Sequence, residues 1–484
     1  MREPIAILPR DRIETVEGFG GANRATGYVY RPSTMEGIRD VFAVARTHHI
    51  PVALRGAGRS YGDAAYLSEA ITLDLTRMNR ILDWNPRTGV ITVEPGATVR
   101  DVWQYVIGDG WLPPVVSGTM YPTIGGALAM NIHGKNHFKQ GTIGEHTKSF
   151  DLLLPANGEI VTCTPESENS DIFYAAIGGF GVLGVFTKIV LQMMPVASGL
   201  LHVRQFAANN LLEIFAVTDE RIAQGADYAV GWIDTFASGD GLGRGLVQEA
   251  TFFAPGADPN PAQSLRTERQ DLGETVFGVI PKSVLWRLIK PWVNDTGMRL
   301  LSHLRYNAGV FSSGKTTVDT FAGANFLLDY VPDWKRAYGD GGLIQYQTQI
   351  PKETALEAFR EQIRLCHRHR LFPYLSVFKR HRDDDFLMSY ATDGYSLALD
   401  FKVKDANRDR LWQLAADLDA VTIAAGGRHY FAKDSTLHPS RITAFLAGER
   451  VARFLALKKR TDPKNILQTD LYRRIFGYDA SSQV

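Results

Sequence analysis

Cysteine is nearly missing: the 484 residues contain two, Cys163 and Cys366. They lie too far apart for a CxxC metal or redox pair and are too few for a secreted disulfide framework, so a reducing compartment is expected. Net charge is nearly missing too. The 53 Lys and Arg meet 52 Asp and Glu, which leaves no global field to hold a polyanion, and nucleic acid is not expected as a partner. Long apolar runs are also lacking. The opening MREPIAILPRDRIE has charges on both sides of its short apolar run and leads into no 18-residue apolar stretch, so neither a signal peptide nor a membrane span is expected. The expectation is a soluble cytoplasmic protein. Neither a P-loop NTPase nor a serine hydrolase is expected, and no HExxH marks a zinc protease. What is present is 45% hydrophobic and 22% charged residues, enough for sizeable cores and too apolar for wholesale disorder. The length suits two or three domains or one bilobal enzyme.

The first third mixes helical and strand periods. Ser33-Thr34-Met35-Glu36 reads as a capping box, and Met35, Ile38, Val41, Phe42 and Ala45 recur at helical spacing, which predicts a helix over 34–48. A buried strand over 51–55 follows, then strands near 70–75, 79–84 and 89–94, and a helix over 99–107 that ends at glycines. Residues 113–144 are rich in Gly and His and weakly periodic, as expected of a segment that wraps something. Asn157-Gly158 predicts a hairpin turn between 152–155 and 159–164. From about 196 the runs lengthen and alternate, as in Leu343-Ile344-Gln345-Tyr346-Gln347, with helices near 352–370 and 405–425. This texture predicts a second lobe on an antiparallel sheet with helices on one face, and a mobile loop over 256–268.

Three glycine-rich loops carry the chemistry of the first lobe: 56–62, Gly125-Gly126, and 178–184. The last contains GxGxxG at Gly179, Gly181 and Gly184, but a predicted helix precedes it and a strand follows, the reverse of a Rossmann turn. One such loop is usually only a turn. Three in one lobe favour a nucleotide cofactor, because glycine leaves backbone N–H groups open to a pyrophosphate. His133 and His137 stand four apart, yet Gly134 is a poor helix former and no glutamate completes a zinc motif, so no metal is expected. Cys366, His367 and His369 sit among arginines and read as a solvated basic helix face.

The segments 55–63, 123–127, 133–137 and 430–435 together resemble the FAD-dependent oxidoreductases of the vanillyl-alcohol oxidase superfamily. Within it the match is closest to the decaprenylphosphoryl-β-D-ribose 2'-oxidases, the flavin half of an epimerase. The resemblance runs over nearly the whole chain, through 342–347, Val377-Phe378-Lys379 and Asp462-Pro463-Lys464-Asn465. It implies an α+β, two-lobed fold: a PCMH-type FAD-binding domain over 1–195, an antiparallel-sheet substrate domain over 196–425, and a segment over 426–484 that rejoins the FAD lobe. FAD would lie against Arg55, Gly56, Ala57, Gly58, Arg59, Ser60 and Tyr61. It would also touch Gly118, Thr119, Gly125, Gly126, Asn131, His133, Gly134, Asn136, Gly141, Gly144, Gly179 and Gly184. Many relatives link FAD through a histidine where this chain has Arg59, so the flavin is expected to be non-covalent.

The implied reaction is oxidation of a secondary alcohol of a polyprenyl-phospho-pentose, with hydride passing to flavin and a proton to a base. Lys433, His133 and Lys379 are the implied catalytic residues, and Gln345, Gln347, Lys379, Ser396 and Lys135 the implied substrate contacts. From the residues alone, Lys433 beside Asp434 reads as a paired surface lysine, and the alternating glutamines as an ordinary exposed strand face. Relatives of the subfamily carry Asn and Cys where this chain has Ser396 and Ala398, which leaves the sugar and lipid open. An alditol or aldonolactone oxidase acting on a soluble sugar is the alternative within the superfamily. A flavin-free binding protein is the alternative outside it, and the retained glycine loops speak against that. The family further implies a short-chain reductase acting on the keto product, and peripheral contact with a membrane.

Overall fold

The computed structural model describes residues 8–276 and 280–477; the opening apolar run lies outside them except for Leu8, which is buried. Strands β1 (Ile13–Glu17) and β2 (Arg24–Tyr30) pair antiparallel. Helix α1 (Met35–His48) follows and buries Ile38, Val41, Phe42 and Ala45, as its spacing requires. Its start corrects the expected capping box. Thr34 rather than Ser33 is the N-cap, taking the Gly37 N–H on its hydroxyl, a bond worth about 1 kcal/mol. Glu36 turns instead toward Arg39 on the exposed face. Strands β3 (Val52–Arg55) and β4 (Ile71–Asp74) run parallel beside β2, giving the order β1-β2-β4-β3.

A second sheet completes this lobe. β5 (Ile81–Asn85) and β6 (Val90–Val93) lead into α2 (Val99–Val106), which does carry a capping box, between Thr98 and Asp101. After α3 (Ile124–Ala129), strands β7 (Thr147–Leu153) and β8 (Ile160–Cys163) form the expected hairpin across Asn157-Gly158. Helix α4 (Ser170–Ala176) then precedes β9 (Val185–Gln192), so the GxGxxG loop does join helix to strand; the sheet order is β5-β6-β9-β7-β8.

The second lobe contains, in chain order, β10 (Leu200–Ala208), α5 (Leu211–Ala223), β11 (Tyr228–Ile233), β12 (Gly245–Phe252), α6 (Lys282–Ile289) and α7 (Asp295–Ser312). It continues with β13 (Thr316–Thr320), β14 (Leu343–Pro351), α8 (Lys352–His369), β15 (Leu375–His381), β16 (Gly394–Lys402), α9 (Arg408–Ala424) and β17 (Arg428–His429). Its eight strands pair antiparallel throughout, in the order β13-β10-β12-β11-β15-β16-β14-β17. The period-two pattern decides which residue faces where. Ile344, Tyr346, Ile350, Leu397, Leu399 and Phe401 pack under α5, α8 and α9. Gln345, Gln347 and Ala398 point the other way, into the space between the lobes.

Two expectations about this lobe need correcting. Helices do not keep to one face: α7 covers part of the opposite face, with Tyr306 against Trp232 and Leu246. Gly309 permits that approach, since a Cβ there would lie 2.2 Å from Leu246. Segment 256–268 is pinned: buried Asp258 accepts from Ser198 at 2.5 Å and Ser264 at 2.6 Å, around a short helical turn at Pro261–Ser264.

The chain finally returns to the first lobe. Helices α10 (Gly448–Thr461) and α11 (Asp470–Phe476) bury Phe454, Leu471 and Ile475 in the same core as Phe42 and Phe150. Val52 exchanges backbone bonds with Ile466 and Gln468 at 2.8 and 2.9 Å. Phe321, Phe326 and Phe386 of the second lobe also enter that core, so the lobes are interlocked rather than merely tethered.

Candidate active site

A cleft of about 850 Å³ lies between the lobes, in the upper part of the range for small-molecule sites. One wall is the loop 55–61 that leaves β3. The backbone N–H groups of residues 56–60 find no acceptor among the described residues. A row of open donors along a glycine-rich turn is a ready anion site. The loop is braced from behind. The Arg55 guanidinium donates to Glu17 O at 2.9 Å and lies under Gly58, whose φ of +63° belongs to the left-handed region. Arg59 faces the cleft with its guanidinium over the rings of Phe19 and Tyr121, and its buried Nε has no hydrogen-bond partner among the described residues.

Opposite lies the segment the sequence marked as a wrapping stretch. Gly118, Thr119, Gly125, Gly126, His133 and Lys135 all line the cleft. Asp329 of the second lobe holds this wall, accepting from Thr119 Oγ1 at 2.7 Å and Met120 N at 2.8 Å. Arg55, Gly56, Ala57, Gly58, Arg59, Ser60 and Tyr61 line it from the first loop; Gln345, Gln347, Lys379 and Lys433 come from the second lobe and the returning segment. Gln345, Gln347 and Lys379, distant in sequence from the loop, meet it because β14 and β15 share the sheet face that looks across at it.

Eight of the expected contacts are not on the surface of the cleft. Asn131 is buried behind it, accepting from Gly144 N at 3.0 Å and donating to Asp384 at 3.2 Å. Gly134 and Asn136 pack together against the 114–116 backbone, Asn136 donating to Pro114 O at 2.8 Å. Gly141 and Gly144 make room for Glu145 and for the Phe386 ring. Gly179 and Gly184 press on Ala175 and Leu152, while Phe180 and Gly181 of the same loop are the ones that reach the cleft. Ser396 lies one layer behind, taking a 2.7 Å bond from His381 Nε2. These positions lie behind the walls, and glycine there lets the chain pack closely.

The electrostatics of the cleft are unusual for its charge count. Lys135 donates to Ala324 O at 2.5 Å, and burial pushes its pKa down to about 7. Burial likewise brings Lys379 to about 8. Lys433 is no surface lysine. Its Nζ sits 3.7 Å from the centroid of the Tyr61 ring, and burial lowers its pKa despite the opposing carboxylate of Asp400. Asp434, its expected partner, pairs instead with Arg474 at 2.9 Å. Asp400 accepts from Gln345 Nε2, and burial raises its pKa.

His133 is held neutral. Burial dominates, and Lys379 and two neighbouring histidines add to it. The Tyr390 hydroxyl donates to Asn131 O at 2.6 Å, so it receives Nδ1–H of His133 at 2.8 Å, and Nε2 is left to accept from Gln347 at 3.3 Å. With both nitrogens engaged, His133 is placed to orient Gln347 rather than to take a proton. The sequence reading did not single out Asp400, His381 or Gln349. Each is a polar residue on the inward side of an alternating strand, and that periodicity was the available signal.

Open backbone donors along a glycine turn, a guanidinium whose Nε has no hydrogen-bond partner among the described residues, and a long interlobe cleft fit a dinucleotide, and the chain matches accordingly. Residues 26–164 match the FAD binding domain family, and the resemblance read from the sequence is borne out: this is an FAD-dependent oxidoreductase with a PCMH-type FAD-binding domain. Among known proteins, the chain is 28% identical over 442 residues to the decaprenylphosphoryl-β-D-ribose oxidase of Mycolicibacterium smegmatis, covering 90% of this chain and 92% of that one. It is 30% identical over 166 residues to the L-gulonolactone oxidase of Bos taurus, 34% of this chain and 37% of that one. It is 28% identical over 168 residues to the D-lactate dehydrogenase of Anaerostipes hadrus, 34% of this chain and 35% of that one.

Proposed function

We propose that the protein oxidises a secondary alcohol of a polyprenyl-phospho-pentose to a keto sugar, in the manner of a decaprenylphosphoryl-ribose 2'-oxidase. The observation that carries this reading is the set of three enclosed lysines, Lys135, Lys379 and Lys433, around one cleft beside two inward glutamines. FAD, when bound, supplies the acceptor for the hydride that leaves the carbinol carbon. The chain's part is to bind, orient and take the proton. Residues 56–60 hold the cofactor pyrophosphate on their open N–H groups. Gln345 and Gln347 grip the sugar, with Asp400 and His133 fixing the direction of each amide. Lys433, part of whose population is uncharged because burial lowers its pKa, accepts the hydroxyl proton. Lys379 and Lys135 face the lipid phosphate.

FAD is held without a covalent bond, since Arg59 occupies the usual linking position and the loop 55–61 contains no His or Cys. A soluble-sugar oxidase is the weaker reading. The lactone oxidase match is a third of the chain, too short to hold both the loop 55–61 and the second-lobe residues Gln345 to Lys433, whereas the decaprenylphosphoryl-ribose oxidase match is long enough to span them. The discriminating experiment is anaerobic flavin bleaching against lipid-phospho-sugars, alditols and aldonolactones. Bleaching by a lipid-phospho-pentose is expected; bleaching by an alditol or lactone alone overturns the reading.

A further inference from the structure

Beside the cleft, Tyr61, Phe236, Val293, Tyr338, Leu343 and Tyr374 form a separate apolar cluster. Phenylalanine would fill the space of each tyrosine, and a buried hydroxyl is costly unless something engages it. All three tyrosines are nevertheless buried. The cluster begins one step from Asp400. Gln345, Asp400 and Leu375 lie side by side across β14, β16 and β15, and two residues further along the same face come Leu343 and Lys402. Lys402 Nζ donates to Val293 O at 2.9 Å, just before α7 begins. A single step along this face therefore leads from an enclosed carboxylate to the surface turn at 293–295.

Tyr374 spans that step. Its N–H donates to Asp400 O at 2.8 Å, its ring lies 6.0 Å from the Tyr338 ring, and its hydroxyl donates to Asp295 Oδ1 at 2.8 Å. Asp295 is exposed, at the first position of α7. At the inner end, Asp400 is fully buried. Gln345 engages Oδ1, and Oδ2 has no hydrogen-bond partner among the described residues. Burial, and after it the Asp400 charge, raises the pKa of both Tyr61 and Tyr338, so this carboxylate acts on the cluster's phenols as well as on Lys433.

We propose that Asp400, Tyr338 and Tyr374 form a back exit that hands the substrate's hydroxyl proton from Lys433 to Asp295 and the solvent. The proposal rests on the reading of Lys433 as the first acceptor of that proton. A ligand that fills the cleft separates Lys433 from solvent in front, whereas this route runs behind it. The Lys433 ammonium gives its proton to the Asp400 carboxylate. The resulting acid protonates a phenol oxygen as that phenol's own O–H proton moves on, and Asp295 takes the last proton and yields it to water. Bridging water serves the steps that are not direct hydrogen bonds. Each carrier ends as it began; one proton has moved, and no electrons travel with it.

The test is anaerobic stopped flow of the FAD-loaded protein, weakly buffered at mildly alkaline pH, with a pH-indicator dye present. The substrate is a polyprenyl-phospho-pentose, or the alditol or lactone if that is what bleaches the flavin. Bleaching and dye colour are read in the same trace. In the parent the proton should reach the dye together with bleaching. In Tyr374→Phe and Tyr338→Phe it should fall behind bleaching by about tenfold or more, whereas a merely structural defect slows both signals together. Asp295→Asn, at the surface, carries the same expectation where a buried variant fails to fold. Proton release that keeps pace with bleaching in the folded variants overturns the proposal, and so does a parent whose proton appears well after bleaching. The two readings fail separately. Bleaching by a soluble sugar alone overturns the lipid-linked substrate and leaves the exit to be tested with that sugar, while a dye in step with bleaching in the variants overturns the exit and leaves the substrate reading standing.

Discussion

Lys433 is pulled two ways. Burial and the Lys379 charge favour the free amine, while Asp400 favours the ammonium. If the amine takes the hydroxyl proton, Lys433→Ala should leave FAD bound and slow anaerobic flavin reduction by about 10²–10⁴-fold, the span of a positioned base. Single-turnover stopped flow reads this directly, and a parental rate would return the proton to another acceptor. The sign of the pH dependence follows. Reduction should speed up as pH rises through the lowered lysine pKa and level off below the ordinary lysine range. Gly58 offers a second residue-level test. Its left-handed φ and the Arg55 guanidinium, 2.3 Å from where a Cβ would sit, make Gly58→Val strained twice over. The clash is with the brace behind the loop, not with the ligand in front, so the loop's open N–H row should be displaced as a unit. We expect a folded, colourless protein; stoichiometric FAD in the variant would show that this loop does not hold the cofactor. Acid precipitation of the parent should release the yellow colour into the supernatant, and colour kept in the washed pellet would mean a covalent link.

At the scale of elements, the working pieces are strands whose register sets pairs opposite one another. In β14 and β16, Gln345 lies across from Asp400 and Gln347 across from Ala398. Asp400→Asn keeps the volume and a hydrogen-bonding group for Gln345 but removes the charge that supports the Lys433 ammonium. The rate-versus-pH curve should therefore move toward acid, with modest loss at its plateau; a merely structural role would lower the plateau and leave the curve where it was. This pair also shows what the sequence could reveal. The loop 55–61 and α1 were legible because glycine and helical spacing are local signals. Asp400 lay in plain view in Gly394–Lys402, but alternation says only that it shares a face with Ser396 and Ala398, not that this face meets a flavoprotein cleft. The glycines at 134, 141, 144, 179 and 184 misled for the opposite reason. A residue without a side chain marks close approach, and nothing local distinguishes approach to a ligand from approach to Leu152 or Phe386. Helix α7 on the cleft side of the sheet was equally hidden, since its contact with Trp232 and Leu246 depends on tertiary placement.

For the molecule as a whole, the cleft is assembled from three stretches of chain, and Arg474 ties two of them together near Lys433. It donates to both oxygens of Asp63 at 2.8 Å, just beyond the cofactor loop, and to Asp434 at 2.9 Å, next to Lys433. Both carboxylates are buried and share this one guanidinium, while Asp434 also accepts from Thr436 N at 2.9 Å and Leu437 N at 3.0 Å. Removing one member of a buried ionic cluster commonly costs about 3–5 kcal/mol, because the remaining charges lose their compensation. Arg474→Ala should destabilise the holoenzyme by that order in urea unfolding and weaken FAD retention, although position 474 is not among the cleft's lining residues. The pH dependence separates this from simple loss of packing. In the parent, Asp434 is buried, but Arg474 and His429 outweigh that burial and hold its pKa below the ordinary 3.8. Its contribution is therefore fully present above that value and is lost only as pH falls through the lower folded value, so it is constant from pH 8 to pH 5. In the variant the balance shifts: without the guanidinium, burial weighs more heavily against the ionised form of Asp434, and lowering the pH relieves that penalty. The stability gap between parent and Arg474→Ala should thus narrow from pH 8 to pH 5. A gap that stays level over that range would mean that the arginine contributes only its packing.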